Sequence, residues 1–170
     1  QLGLTGLAAV NSAHRPWPPE EVSGRFGLYW LLVMGTAVPF FTLVVTTSGS
    51  LYPVGGVSVA GGAVFLAGAV VNVLTADEFD GPEEILGLEW RVHTDGPFRF
   101  SRNPEVVGHA GALLGLAIAA GSWQAIILGS LAVTWFVLKP HAEEPVLENR
   151  DEQYAQYRSR VARYLDISRL

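Results

Sequence analysis

Apolar positions fill two long runs of this chain, and the charged ones are gathered into the segments around them. Residues 27–75 contain no Asp, Glu, Lys or Arg, and neither do residues 106–138. About 20 apolar residues cross a bilayer, so each run holds two spans joined by a tight turn. The first hairpin is predicted as Phe26–Thr46 and 54–75, turning through the Ser- and Gly-rich residues 47–53. The second is Pro104–Ala120 and 123–139, turning at Gly121 and Ser122. Pro39 predicts a kink of a kind membrane helices tolerate, and Pro140 ends or bends the fourth span. Small residues let helices approach closely: Ala60, Gly61, Ala63, Ala67 and Gly68 on the second span, and Gly108, Gly111 and Gly115 on the third. On the third span the missing side chains also leave room for a bulky ligand.

The polar segments carry the punctuation. Residues 11–25 form a connector in which Pro16-Trp17-Pro18-Pro19 cannot be helical throughout. The chain opens on Gln1 rather than Met, so a trimmed N-terminus is expected. Residues 1–10 are apolar, too short to span alone, without the basic start of a signal peptide, and read as the tail of a preceding helix. Residues 76–95 are acidic. Within them, 82–92 predict a short helix, with Pro82 at its first position and Glu83 and Glu84 in its first turn. Ile85, Leu88 and Val92 share a face that either lies in the membrane interface, a depth that suits Trp90, or belongs to a solvated loop.

The densest cluster of signals is TDGPFRFSRNPEVVG, residues 94–108. Gly96-Pro97 marks a turn. Asn103-Pro104 reads as a helix start, with Asn as N-cap and Pro at the first helical position. Arg99 and Arg102 beside that N-terminus either hold an anionic group or face lipid headgroups. The C-terminal counterpart is HAEEPVLENRDEQYAQYRSRVARYL, residues 141–165. Either a new helix starts at Pro145 with Glu144 as its N-cap, or the fourth span continues through with a kink. At about 100° per residue, Glu143, Leu147, Arg150, Tyr154, Tyr157, Val161 and Leu165 share one stripe. That stripe suits a helix lying on headgroups, with Arg158, Arg160 and Arg163 reaching phosphates. It also suits a helix packed under the bundle, with Glu143, Glu144 and Arg150 lining a cavity at the membrane surface.

Composition narrows the class. With 170 residues, a single domain over 1–170 is expected: connector 1–25, hairpin 26–75, loop 76–103, hairpin 104–139 and C-terminal helix 140–170. Only 16% of residues are charged, against ~25% in soluble domains, and the deficit falls in the two runs. The fold class is all-α, a polytopic membrane bundle of about four transmembrane helices with a C-terminal cytosolic amphipathic helix. The absence of Cys excludes disulfides, thiol nucleophiles and Cys-based metal sites. A net charge of −5 argues against a nucleic-acid partner and leaves the lipid bilayer as the expected one. The inter-span turns are uncharged, whereas Arg15, Arg25, Arg91, Arg99, Arg102, Lys139 and the C-terminal arginines lie on the other side. By the positive-inside rule that side, with both ends of the sequence, is cytoplasmic. His93, His109 and His141 have no metal-ligand spacing, and no metal site is predicted.

Taken together and in order, the two polar motifs resemble the isoprenylcysteine carboxyl methyltransferase and phospholipid methyltransferase group of integral membrane enzymes. The likeness rests on Gly96, Pro97, Phe98 and Arg99, then Arg102, Asn103, Pro104 and Gly108. After a membrane hairpin come Glu143, Glu144, Leu147, Tyr154, Tyr157, Val161 and Arg163. It covers the C-terminal half. Asn103 stands where many members have His, Val106 where Tyr is frequent, and Arg150-Asp151 where Phe-Gly is frequent; Pro145 is unexpected after the Glu pair. The resemblance implies S-adenosyl-L-methionine held at the cytosolic face between the motifs, and a lipid-like or prenylated acceptor entering from the bilayer.

On that reading Arg99 or Arg102 holds the donor's carboxylate, and Glu143 or Glu144 accepts from its ribose hydroxyls or amino group. Tyr154, Tyr157 or Phe98 faces the sulfonium. Arg150, Glu144 and His109 are the candidates nearest the chemistry. Arg150 orients an acceptor carboxylate; His109 or His141 serves as base for an amine or phenol. Two other classes compete: an NADPH-dependent membrane reductase of the steroid reductase type, and a non-enzymatic membrane accessory protein. The Glu pair favours the methyl donor.

Overall fold

The computed structural model describes residues 22, 24–86, 88, 89 and 91–165. The connector and apolar N-terminal segment, Trp90, and the side chains of Arg25 and Arg150 lie outside the described residues. Those described form six helices and no strand. They are α1 (Gly24–Thr46), α2 (Gly56–Ala76), the single turn α3 (Pro82–Ile85), α4 (Pro104–Ala120), α5 (Trp123–Arg150) and α6 (Glu152–Arg160). A 3-10 turn, Gly96–Arg99, precedes α4.

Three helices are long and apolar enough to cross a membrane: Phe26–Thr46, Gly56–Ala76 and Trp123–Asn149. The fourth, Pro104–Ala120, is apolar but has only 17 residues, at the short limit of the ~17–25 that span a bilayer. Outward faces are greasy. Leu28, Leu31, Val38, Phe41 and Val45 are exposed at helical spacing along α1. In water such a stripe would be costly; against lipid tails it is the stable arrangement. The protein is therefore a multi-pass helical membrane bundle.

The α2–α4 pair packs backbone to backbone. A Cβ on Gly61 would lie 2.5 Å from Ala119 N and 2.8 Å from Gly115 O; one on Gly68 would lie 2.6 Å from Gly108 O. The α4 glycines thus make room for a neighbouring helix rather than for a ligand. Gly115→Val is expected to force the helices apart and destabilise the bundle by ~1–3 kcal/mol. Thermal unfolding in detergent checks this; an unchanged midpoint would contradict it.

The uncharged end is tied off locally. Gly121 adopts the left-handed conformation (φ 61°) that ends α4. Ser122 caps α5 by accepting from Ala125 N at 3.1 Å. Backbone bonds from Gly49 N to Ala120 O (2.7 Å) and Leu51 N to Gly121 O (2.8 Å) join the two turns.

At the charged end the structure decides between the two alternatives for the fourth span and corrects two further expectations. α5 does not stop near Pro140, and no helix starts at Pro145; α5 runs through both prolines to Arg150. Val137 O, near the Pro140 break in the ladder, accepts from His141 Nδ1 (3.1 Å) and Tyr164 Oη (2.5 Å). The N-cap of the last helix is therefore Asp151, not Glu144: its backbone is extended, and its side chain accepts from Gln153 N at 2.7 Å. The predicted single stripe is broken there, and Leu165 falls beyond α6. Finally, the helix expected over 82–92 lasts one turn. Ile85 stays exposed while Val92, partly buried, packs against the cluster of Phe98, Tyr154, Tyr157 and Val161.

Candidate functional site

The site begins with Asn103-Pro104. Pro104 takes the first position of α4 as predicted, with Asn103 at the N-cap position. The Asn103 side chain does not cap, however. It donates to Arg163 O (3.0 Å) and Glu144 Oε1 (3.4 Å), tying the start of α4 to the C-terminal segment and to α5. Because α5 runs on past the apolar zone, it carries Glu143 and Glu144 down beside this N-terminus.

Glu144 is the keystone of the charged end. It is 2% exposed, yet ionised partners surround it. Arg102 donates from Nε (3.3 Å) and Nη2 (3.0 Å to each oxygen), and Arg163 from Nε (3.0 Å) and Nη2 (2.7 Å). The other Arg102 nitrogen donates to Arg158 O (3.0 Å) and Val161 O (2.7 Å). Every nitrogen of this guanidinium thus meets a protein oxygen. Bidentate charge-assisted pairs of this kind are strong where water is excluded. The Glu144 carboxylate holds the Arg163 guanidinium above its ordinary pKa.

Aromatic residues close the same corner. Phe98, Tyr154, Tyr157 and Val161 form a buried cluster. Tyr157 Oη donates to Phe98 O at 2.6 Å, fixing the Gly96–Arg99 turn against α6. Burial pushes the Tyr154 phenol up to about 12, with the Glu144 charge adding to it; burial also raises Tyr157. Both remain protonated at neutral pH. Gly96 adopts φ 50°, a conformation strained for any residue with a side chain, and a Cβ there would also press on the Glu78 carboxylate.

Between these parts lies a cavity of about 170 Å³. Its walls come from the strap 77–95, the 3-10 turn, the start of α4, the lower part of α5, and α6. Of the residues proposed from the sequence for donor or acceptor, Phe98, Arg102, Asn103, Glu143, Tyr154 and Tyr157 line it. Glu143 faces in beside Lys139, with Oε1 3.4 Å from Nζ. Adjacent carboxylates on one helix thus have different surroundings: Glu144 is locked into structure, and Glu143 looks into the cavity.

The remaining candidates lie elsewhere. Pro97 and Pro104 shape the backbone. Gly108 packs against Gly68 and the Asn72 side chain. Arg99 is exposed on an open groove shared with Gln153, Gln156 and Arg160. His109 stacks on Phe136 (4.6 Å between ring centroids), with Nδ1 2.6 Å from Glu105 O. His141 is exposed on α5. Sequence reasoning missed Glu105 and Lys139 as cavity residues, and it missed the strap residues Phe79, Glu84 and His93. A lone His in an acidic stretch was their only signal.

An integral helical bundle with a charged, aromatic-walled cavity at one end is the class this geometry defines. The chain belongs to the phospholipid methyltransferase family, whose model matches residues 57–155. That match spans α2 to the start of α6, and the family implies a methyltransferase. No curated protein and no solved structure matches the chain significantly.

Proposed function

We propose that the protein transfers a methyl group from S-adenosyl-L-methionine to a lipid-like or prenylated acceptor at the cytosolic face of the membrane. The observation that carries this reading is the convergence of two motifs, distant in sequence, on one cavity: Arg102 and Asn103 with Glu143, beside the Arg102–Glu144 pair (3.0 Å), whose members are 42 residues apart. The arginine distribution supports the cytosolic assignment of this end.

The lining fits the chemistry of such a donor. When bound, S-adenosyl-L-methionine supplies an activated methyl on a sulfonium, so the protein's task is alignment and exclusion of water. Glu143 accepts hydrogen bonds from hydroxyl or amino groups. Phe98, Tyr154 and Tyr157 offer aromatic faces to a cation. Lys139 supplies positive charge for a carboxylate, a role in which Arg102 is hindered by its commitment to Glu144. Arg99, on the open groove, is placed for lipid phosphates rather than for the donor. The test is to incubate purified protein with methyl-labelled donor in native lipid and extract the lipids. Label in a lipid or prenylated species supports the reading; label in none contradicts it.

A further inference from the structure

A methyl acceptor that carries a proton on its attacking atom needs a base, and the two histidines expected for that task do not line the cavity. His109 is stacked on Phe136, and His141 is exposed on α5. Among the described residues the cavity wall contains one imidazole, that of His93 on the strap.

His93 is held as a base would be. Its Nε2 lies 2.6 Å from Glu84 Oε1, and the two side chains are only 16% and 6% exposed. When the ring is neutral and hydrogen-bonded to a carboxylate, which accepts, Nε2 carries the hydrogen and the lone pair falls on Nδ1. Phe79 and Phe98 grip the ring, with centroids 5.5 Å and 5.4 Å away. Glu84 is itself fixed, accepting from Asp80 N at 3.0 Å. A carboxylate that orients one ring nitrogen while the other stays available is the arrangement by which proteins prepare an imidazole for proton abstraction.

We propose that His93, oriented by Glu84, removes the proton from the nitrogen of an amine acceptor before methyl transfer. This rests on the methyltransferase reading above. An ammonium has no lone pair and cannot attack. His93 Nδ1 takes one proton; the electron pair of the broken N–H bond stays on the acceptor nitrogen, and the positive charge moves to the imidazolium beside Glu84. That lone pair then forms the new N–C bond as the methyl's bond to sulfur breaks, its electrons staying on sulfur as a neutral thioether. The proton on His93 passes to water, restoring the base.

The experiment uses the full chain in nanodiscs of mixed ethanolamine- and choline-headgroup phospholipid, with methyl-labelled S-adenosyl-L-methionine. Donor affinity is measured separately by calorimetry. Wild-type protein is expected to label the ethanolamine lipid. His93→Gln should lower kcat by about 10²–10⁴-fold, with donor affinity and KM for the lipid unchanged. His93→Gly should recover turnover on addition of imidazole, which a merely structural role would not give. Glu84→Gln should lower kcat without changing KM, and Glu84→Asp should restore part of it. Wild-type kcat in His93→Gln would overturn the proposal. So would label appearing only on a prenylcysteine carboxylate probe added to the same nanodiscs, an acceptor with no proton to lose. Failure of wild-type protein to bind the donor at all would bring down the methyltransferase reading, and this proposal with it.

Discussion

Glu144→Ala is expected to dismantle the charged end of the bundle, destabilising the protein by about 3–5 kcal/mol and abolishing activity. Its carboxylate is the shared acceptor for Arg102, Arg163 and Asn103. Removing it strips the Arg102 guanidinium, whose side chain is only 8% exposed, of its carboxylate partner. It also loosens the C-terminal segment, because Arg163 loses its carboxylate partner while the bond from Asn103 to Arg163 O remains. Breaking one side of a buried ion pair costs far more than replacing the whole pair by apolar groups. A combined Arg102→Met, Glu144→Leu and Arg163→Met variant should therefore recover much of the lost stability while remaining inactive. Thermal unfolding in detergent distinguishes the cases. A single Glu144→Ala variant that unfolds with the wild-type midpoint would show that the network contributes nothing.

Its neighbour should behave differently. Glu143→Gln is expected to lower the unfolding midpoint far less than Glu144→Ala, because its ion-pair partner Lys139 sits on the same helix. Donor affinity should fall by ~10–100-fold, the loss of one charge-assisted hydrogen bond of ~1.5–3 kcal/mol. Its partner in the protein is Lys139, one turn away on the same helix, so little of the tertiary structure depends on it. Titration calorimetry with S-adenosyl-L-methionine reads the effect. Equal affinity in Glu143→Gln and wild type would remove Glu143 from the donor site.

Much of the fold was legible because hydrophobic runs and helix punctuation are local signals. The bounds of α4 follow from Asn103-Pro104 and Gly121, and its glycines pack where their spacing predicts. The prolines of α5 left two alternatives open, since a proline removes one backbone bond while tertiary partners can hold the helix together. Its continuation decides the site, because it separates the fates of Glu143 and Glu144. No periodicity distinguishes two adjacent carboxylates; only the positions of Arg102 and Arg163 do. The strap was illegible for a related reason. Glu84 and His93 are nine residues apart and meet only because the chain folds back after α3, with Leu88 N bonded to Glu83 O at 2.8 Å.

The cavity's role as a methyl-donor site is tested most directly by equilibrium binding of methyl-labelled S-adenosyl-L-methionine to the folded full chain, with NADPH as competitor. The account predicts saturable binding that NADPH does not displace, that weakens in Glu143→Gln, and that persists in Arg99→Ala. Folded protein that fails to retain the label, or that yields it to NADPH, would contradict it.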